Sequence, residues 1–565
     1  MADRQYAEKS EQTPLLQHVS VAQTPPRRYP HQGLRRFSTR ILLSLCIFGI
    51  TLFFLPDDSP ADDVSTFSFT YKNLTDILLN TPDEKQVREW SKYYTAGPHL
   101  AGKNFSQAEW TKDRWVEFGV EDTNIIAYDI YVNYPRGHRL ALLETDEEDT
   151  TSVKYEASLV EDILDDDPST NLTDRIPTFH GYSASGNVTG QYVFANYGTF
   201  KDYDDLVQAN VSLDGKIALV KYGHCFRGLK IKRAQELGMI GVLIYSDPGD
   251  DGVTEKTNAT YPEGPAREPS SVERGSTQFL SFAPGDPTTP GYPSLPGAKR
   301  ADDLSHAIPR IPSLPISYAD ALPLLKALNG HGPKSTDFNE WWQTGGLGYK
   351  GVDYNIGPSP PHLTLNLVND QEYVTTPFWN VIGIINGTIS DEVVILGNHR
   401  DAWIAGGAAD PNSGSAAFNE LIRGFGIALK HGWKPQRTIV LASWDGEEYG
   451  LVGSTEWVEE YLPWLSTSAV AYLNVDVGAA GSTFGTSSAP LIDKALVEIL
   501  EAVPSPNQTV AGQTVADLWN KRIATIGSGS DYTAFQDFAG VPSVDMGFHT
   551  AKPGPVYHYH SNYDR

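Results

Sequence analysis

The sequence predicts an α/β fold built on a mostly parallel sheet. Three observations predict it. Val393-Val394-Ile395-Leu396, Thr438-Ile439-Val440-Leu441 and Val470-Ala471-Tyr472-Leu473 are continuous apolar runs, the pattern of strands buried on both faces. Each run leads into residues that can bind metal: Asn398-His399-Arg400-Asp401, Trp444-Asp445-Gly446-Glu447-Glu448 and Asn474-Val475-Asp476. Two more such residues stand apart in sequence, Asp410 in Ala409-Asp410-Pro411-Asn412-Ser413-Gly414 and His560 in Tyr559-His560-Ser561. Open parallel sheets form their sites at the carboxyl ends of strands. Histidines and carboxylates arriving there together predict a metal-dependent enzyme.

The elements follow in chain order. Residues 1–40 are polar and rich in Gln, Pro and Arg, the composition of a disordered tail. Residues 41–55 are uncharged and apolar; they fall short of the roughly 20 residues of a full span and still read as a signal-anchor. Arg27, Arg28, Arg35, Arg36 and Arg40 precede this run and Asp57, Asp58, Asp62 and Asp63 follow it. The positive-inside rule leaves the tail cytoplasmic, a single-pass type II arrangement. Asp76 to Tyr94 reads as one helix, and Ser106 to Phe118 as a second with Ser106 as N-cap. Ile125 to Val132 reads as a strand and the acidic stretch Glu144 to Thr150 as a connection. Between about 155 and 345 the character changes. Ile217 to Val220 and Val242 to Tyr245 read as buried strands around a helix from Arg227 to Leu237, and the Gly- and Pro-rich segment Ala283 to Pro296 follows. This predicts a second α/β domain inserted into the first. The expected division is a tail at 1–40, an anchor at 41–55, a main domain in two parts at 57–132 and 356–565, and an insert at 133–355.

Composition narrows the function. At 565 residues the chain exceeds a single core. A formal charge of −26, from 44 Lys+Arg against 70 Asp+Glu, argues against a nucleic-acid partner, which needs a basic face. Two cysteines, Cys46 and Cys225, exclude a disulfide framework. Sequons at Asn73, Asn104, Asn171, Asn187, Asn210, Asn258, Asn386 and Asn507 all follow the apolar run, which suits a lumenal or extracellular glycoprotein. Glu11-Gln12-Thr13-Pro14-Leu15-Leu16 resembles an acidic dileucine signal. Through Glu11, Leu15 and Leu16 it would recruit a sorting adaptor, with vacuole or endosome as the expected address and the plasma membrane as the alternative.

Zinc takes histidine nitrogen and carboxylate oxygen, and two metals about 3.5–4 Å apart can share one carboxylate. The inventory holds two His, two Asp and one Glu as ligands plus one spare Glu. On an extended backbone Glu447 and Glu448 would point to opposite sides, one to the metal and the other to the water as general base.

NHRDAW, ADPNSG, SWDGEEYGLVGSTEW, AYLNVD and GSGSDYTAF together resemble the M28 zinc peptidases. The closest resemblance is to the subgroup of glutamate carboxypeptidase II and the transferrin receptor, and within it to fungal vacuolar sorting-associated peptidase-like members. NYG at 196–198, DGKIALVKYG at 214–223 and GVLIYSDPGD at 241–250 resemble a protease-associated (PA) domain. The resemblance implies a three-layer α/β/α zinc exopeptidase domain with an inserted PA domain. It implies that His399, Asp410 and Asp476 hold one zinc and Asp410, Glu448 and His560 a second, with a cis peptide after Asp410. His558 competes with His560, and the motif favours His560. Glu447 would be the general base, Tyr559 would stabilise the oxyanion, and Asp401 would orient His399. One structural calcium would be held by Thr289 and Tyr292 in TPGYP together with Glu456 and Glu459.

The implied activity is release of C-terminal residues from peptides. An aminopeptidase of the same family and a non-catalytic, transferrin-receptor-like vacuolar sorting receptor or adaptor are the alternatives. Two departures weaken a glutamate preference. Thr199 follows Asn196-Tyr197-Gly198 where the resemblance implies an arginine clamp for the substrate carboxylate, and Asp545 and Gly547 stand where an arginine patch is implied. The resemblance also implies a C-terminal helical dimerisation domain beyond His560, and a homodimer is expected only with that domain present.

Overall fold

The computed structural model describes residues 69–564, except 507 and 552. The tail with Glu11, Leu15 and Leu16, the run 41–55 and the sequon at Asn507 lie outside the described residues. Among the described residues no helix is long and apolar enough to cross a membrane.

Four strands form a parallel centre in the order Ser543–His549, Ala469–Asn474, Ile389–His399, Arg437–Trp444. Antiparallel flanks extend it: Thr483–Ser488 beside Ser543–His549 on one side, and Leu363–Ile385 followed by Asp122–Thr145 on the other. The parallel character therefore holds at the centre only. Leu363–Ile385 and Thr483–Ser488 run against the centre because short connections, to Ile389–His399 and from Ala469–Asn474, return the chain in the opposite sense.

The central strands are buried on both faces, as their apolar runs predict. Val394, Leu396, Ile439 and Leu441 enter a core closed by helices Tyr71–Asn80, Phe105–Phe118 and Asn412–Lys430. Val393, Ile395, Val440 and Ala442 enter the opposite core, closed by Val452–Ser468 and Tyr532–Asp537. Period-two alternation sends neighbours to opposite faces, so helices cover both sides of the sheet.

The insert has its own parallel sheet, in the order Tyr192–Phe194, Ile217–Lys221, Gly241–Tyr245, Ser313–Ile316, with helix Arg227–Glu236 against it. Leu219, Val220, Leu243 and Ile244 are fully buried there. The two domains share long strands. Asp122–Thr145 pairs with Leu363–Ile385 almost throughout, and the insert strand Gly186–Gly190 adds to the same ladder at Leu365 to Asn369.

Several local readings are corrected. Asp76 to Tyr94 is two helices, Tyr71–Asn80 and Glu84–Tyr94. Pro82 offers no N–H to continue the first, and the Asp83 carboxylate accepts from the Lys85 and Gln86 N–H groups at 2.9 and 3.0 Å to start the second. The N-cap of Phe105–Phe118 is Asn104, which accepts from the Gln107 N–H at 3.1 Å; Ser106 instead donates its hydroxyl to Asn104. The strand read as Ile125 to Val132 runs from Asp122 to Thr145. The acidic stretch is a hairpin turn, in which the Asp146 carboxylate accepts from the Glu148 and Thr150 N–H groups.

Candidate metal centre and active site

Register aligns the strand ends. His399 lies level with Trp444, and Gly397 level with Leu473's successor, Asn474. His399, the segment after Trp444 and Asp476 therefore reach the same edge of the sheet. Gly397 is required for this. A Cβ there would lie 2.0 Å from the Tyr472 hydroxyl and 2.6 Å from the Trp444 indole nitrogen.

Glu447 and Glu448 are not on an extended backbone. Gly446, at φ +79°, turns the chain into a short helix, Glu447–Gly450. The Glu447 and Glu448 N–H groups then donate to the two oxygens of the Asp401 carboxylate, at 3.1 and 3.3 Å. Asp401 also accepts through its backbone carbonyl from His399 Nδ1 at 3.0 Å. One aspartate thus fixes the imidazole and both glutamates. His560 is held likewise, Nδ1 donating to the Arg274 carbonyl at 3.0 Å. Both imidazoles present Nε2 to the same space.

Asp410 stands between them. Its Oδ1 is 3.4 Å from His399 Nε2 and its Oδ2 is 3.4 Å from His560 Nε2. Asp476 Oδ1 is 2.9 Å from His399 Nε2, and Glu448 Oε2 is 3.0 Å from His560 Nε2. The peptide between Asp410 and Pro411 is cis. Asp564, a residue the sequence did not single out, sets the height of this loop. Its carboxylate accepts from the Ala409 and Asp410 N–H groups at 3.0 and 3.2 Å and from the Tyr557 hydroxyl at 3.1 Å.

The donor set fits metal ions. Asp410 Oδ1, Glu448 Oε1 and His560 Nε2 are buried without a hydrogen-bond partner, a costly state unless something else satisfies them. Candidate ligand atoms converge in two groups, His399–Glu447–Asp476 and Asp410–Glu448–His560. The second matches the implied set. The first includes Glu447, whose Oε2 is 3.9 Å from His399 Nε2, alongside the nearer Asp410. Without cations the site is short of positive charge. Burial, only partly offset by His560, pushes Glu448 up to about 7. Burial and Asp476 push Asp545 up to about 7. Asp410 goes the other way: burial raises it, but the two imidazoles hold it well below the usual carboxylate range.

His558 turns away from this centre. Its Nε2 accepts from the Glu268 N–H at 3.0 Å, and burial, with Arg267 nearby, pushes it down to about 3. The ring that faces Asp410 and Glu448 is His560.

Tyr559 stacks on His560 with ring centroids 3.6 Å apart and stays 36% exposed. Behind it lies a cation that sequence reasoning missed. Arg227 is buried, its guanidinium interacts with the Tyr559 hydroxyl and lies 3.6 Å from Glu273, and its Nε has no partner. The guanidinium lies over Gly275, where a Cβ would sit 2.2 Å from Cζ. The position after Asn196-Tyr197-Gly198 is no such clamp, because Thr199 N-caps helix Phe200–Gln208. The cation enters instead from the first residue of Arg227–Glu236. The signal was the lone arginine at that helix start, between Phe226 and Gly228.

Away from the centre, Glu456 is fully buried and accepts from the Asp286 and Ser294 N–H groups at 2.7 and 2.5 Å. Thr289 Oγ1 and Glu459 Oε2 are buried with no hydrogen-bond partner. Burial, with Asp286 nearby, pushes Glu459 up to about 8. The Tyr292 hydroxyl donates to the Lys299 carbonyl at 2.6 Å, which leaves its side chain outside this cluster.

A parallel-centred α/β sheet with paired His–carboxylate groups at its carboxyl edge, carrying an inserted α/β domain, is the class of protein that the fold and site define. The chain belongs to peptidase family M28: residues 380–565 match the model for that family and residues 187–272 the model for the PA domain. A probable glutamate carboxypeptidase of Arthroderma benhamiae is 52% identical over 495 residues, covering 86% of this chain and 66% of that protein. Vacuolar protein sorting-associated protein 70 of Saccharomyces cerevisiae is 35% identical over 547 residues, covering 94% of this chain and 65% of that protein. The chain thus spans just under two thirds of the length of these curated relatives. Among solved structures, a peptidase M28 precursor from Shewanella amazonensis shares the fold, with a TM-score of 0.51 at 16% identity over 87% of this chain and 90% of that one.

Proposed function

We propose that the chain is a di-zinc exopeptidase of the metallo-carboxypeptidase type, removing C-terminal residues from peptides. The observation that carries this is Asp410, placed with one oxygen toward each of two inward-facing imidazoles, beside unpartnered ligand atoms. Zinc ions held by His399, Asp410 and Asp476 and by Asp410, Glu448 and His560 would supply Lewis acidity at the scissile carbonyl and lower the pKa of a water molecule. Glu447 takes the proton of the attacking water, holds it in a buried site and returns it to the leaving amine. The Tyr559 hydroxyl donates to the oxygen that becomes negative as the carbonyl carbon turns tetrahedral.

Arg227 supports a carboxypeptidase over an aminopeptidase. Its guanidinium, already between Glu273 and the Tyr559 hydroxyl, keeps an unpartnered Nε that would be the donor for a terminal carboxylate. The Glu456 and Glu459 carboxylates with the unpartnered Thr289 hydroxyl suit one structural calcium, with the Tyr292 backbone carbonyl as a further oxygen ligand. The readings of residues 1–55 as a cytoplasmic tail and single span, of a glycosylated lumenal body and of a vacuolar or endosomal address go with this proposal. The yeast relative's name supports the vacuole. A homodimer is expected only with a C-terminal helical domain.

The test uses the zinc-loaded full chain and two peptides, one N-acetylated with a free C-terminus and one with a free N-terminus and a C-terminal amide. Cleavage of the acetylated peptide alone, reduced about 10²- to 10⁴-fold by Glu447→Gln, is the expected result. Glu447-dependent cleavage of the amidated peptide alone would make the chain an aminopeptidase. No cleavage of either would favour a receptor or adaptor.

A further inference from the structure

The two ends of the metal centre differ in charge. At the Tyr559 end stands the Arg227 guanidinium, with the single carboxylate of Glu273 3.6 Å from it. At the opposite end, beyond Asp476, three carboxylates gather. Asp476 follows strand Ala469–Asn474, Asp545 lies in Ser543–His549 level with Asn474, and Asp531 opens helix Tyr532–Asp537. Asn474 ties the group together, its Nδ2 donating to Asp545 Oδ1 at 2.9 Å and to the Ser530 hydroxyl at 3.0 Å. Among the described residues no Lys or Arg forms an ion pair with any of the three; Asp476 has only His399.

Asp531 carries a second and separate observation. It is wholly buried, and neither of its oxygens has a hydrogen-bond partner. The Ser454 hydroxyl beside it donates to the Leu451 carbonyl at 3.1 Å and offsets the burial of Asp531 only in part. Burial of such a group is costly unless a positive charge compensates it. Its field acts on His399, Asp476 and Glu447, the same end of the site. Asp476 and Asp545 are only half-buried. Two carboxylates with access to solvent are thus backed by a third that is closed in.

If Arg227 takes the terminal carboxylate, that end receives the leaving residue. The opposite end then faces the residue whose carbonyl is attacked. We infer that the Asp476–Asp531–Asp545 end is a subsite for a cationic group, an ammonium or guanidinium, on the amino side of the scissile bond. The inference rests on the carboxypeptidase reading and extends it to a substrate class: peptides with a positive charge just before a free C-terminal residue. The cation has two sources, a Lys or Arg side chain or the α-amino group of a dipeptide.

The zinc-loaded full chain is assayed on acetyl-Ala-Lys-Leu, acetyl-Ala-norleucine-Leu and acetyl-Ala-Glu-Leu, which differ in charge at one side chain. Acetyl-Ala-Leu and Ala-Leu form a second pair. The expected result is a kcat/KM for the lysyl peptide about tenfold or more above the norleucyl one, with the glutamyl peptide slowest. Asp545→Asn should lower the lysyl rate more than the norleucyl rate and narrow that ratio. Preference for Ala-Leu over acetyl-Ala-Leu, without a lysyl preference, would assign the subsite to the α-amino group. Equal rates across both sets, or an equal loss on every peptide in Asp545→Asn, would overturn the inference and leave the carboxylates as counter-charge for the metals. Failure to cleave any peptide would instead sink the carboxypeptidase reading. Product inhibition by acetyl-Ala-Lys against acetyl-Ala-norleucine in the unmodified chain gives the same comparison without a variant, and equal inhibition would count against the subsite.

Discussion

Asp564 decides the position of Asp410 without itself facing a candidate metal. Its two oxygens accept the Ala409 and Asp410 N–H groups, so the loop before the cis peptide is hung from it. Asp564→Asn keeps the size but loses acceptor capacity, and should weaken zinc binding about 10- to 100-fold with the circular dichroism spectrum retained; titration calorimetry checks it. A second residue-scale prediction concerns pH. Lys230 is fully buried in the insert, donates to the Gly223 carbonyl at 2.7 Å, and is pushed down to about 8 by burial. Its folded pKa lies below the unfolded one, so between about pH 8 and 10.5 the unfolded chain binds more protons and stability rises with pH. The rise attributable to Lys230 is at most about 1.4 kcal/mol per pH unit. Urea melts across that window, compared between the natural chain and Lys230→Met, should isolate it as the part the variant lacks.

Elements divide by how local their causes are. The central strands were legible because Val393 to Leu396 and Ile439 to Leu441 are apolar at every position, the pattern of burial on both faces. His399 and Asp476 were legible with them as residues just past the strands. Glu447 was legible as a residue but not in its geometry. The turn at Gly446 depends on Asp401, 46 residues before Glu447, accepting both N–H groups. Arg227 and Asp564 were not legible, since each acts through contacts that only the folded chain brings together. The helix break near Pro82 was legible in principle, because Pro82-Asp83 is a stop followed by a cap. It was overridden by the apolar spacing of Ile77, Leu78, Val87 and Trp90. Glu84–Tyr94 also packs on Asn412–Lys430, where the Glu420 carboxylate accepts from the Asp83 N–H at 2.9 Å and the Trp90 indole at 2.8 Å. Asp83→Ala should therefore cost about 1 kcal/mol, read as a lower denaturation midpoint with an unchanged m-value.

At the scale of the whole molecule, the loop bearing Thr289 and the helix Val452–Ser468 form one of the places where insert and main domain meet through carboxylates. That helix begins four residues after Glu448, so what holds Glu456 also bears on the metal-centre turn. In the absence of a cation, Glu456 and Glu459 are buried carboxyls whose ionised forms are disfavoured: burial and Glu459 push Glu456 up, and burial pushes Glu459 up to about 8. A bound calcium would favour the ionised form of both. It would stabilise the native chain by about 2.7 kcal/mol at a calcium concentration a hundredfold above its Kd. Chelation with EGTA should therefore lower the thermal midpoint while zinc content, measured by atomic emission, stays the same; added calcium should restore it. Glu459→Gln should remove the calcium response and make the EGTA-treated chain more stable than the natural one treated alike, because the cost of burying an ionisable carboxyl is gone. A merely structural glutamate would behave otherwise, with the variant less stable in every condition. A midpoint indifferent to both EGTA and calcium would leave a protonated Glu459 beside Glu456 as the native arrangement and remove calcium from the domain junction.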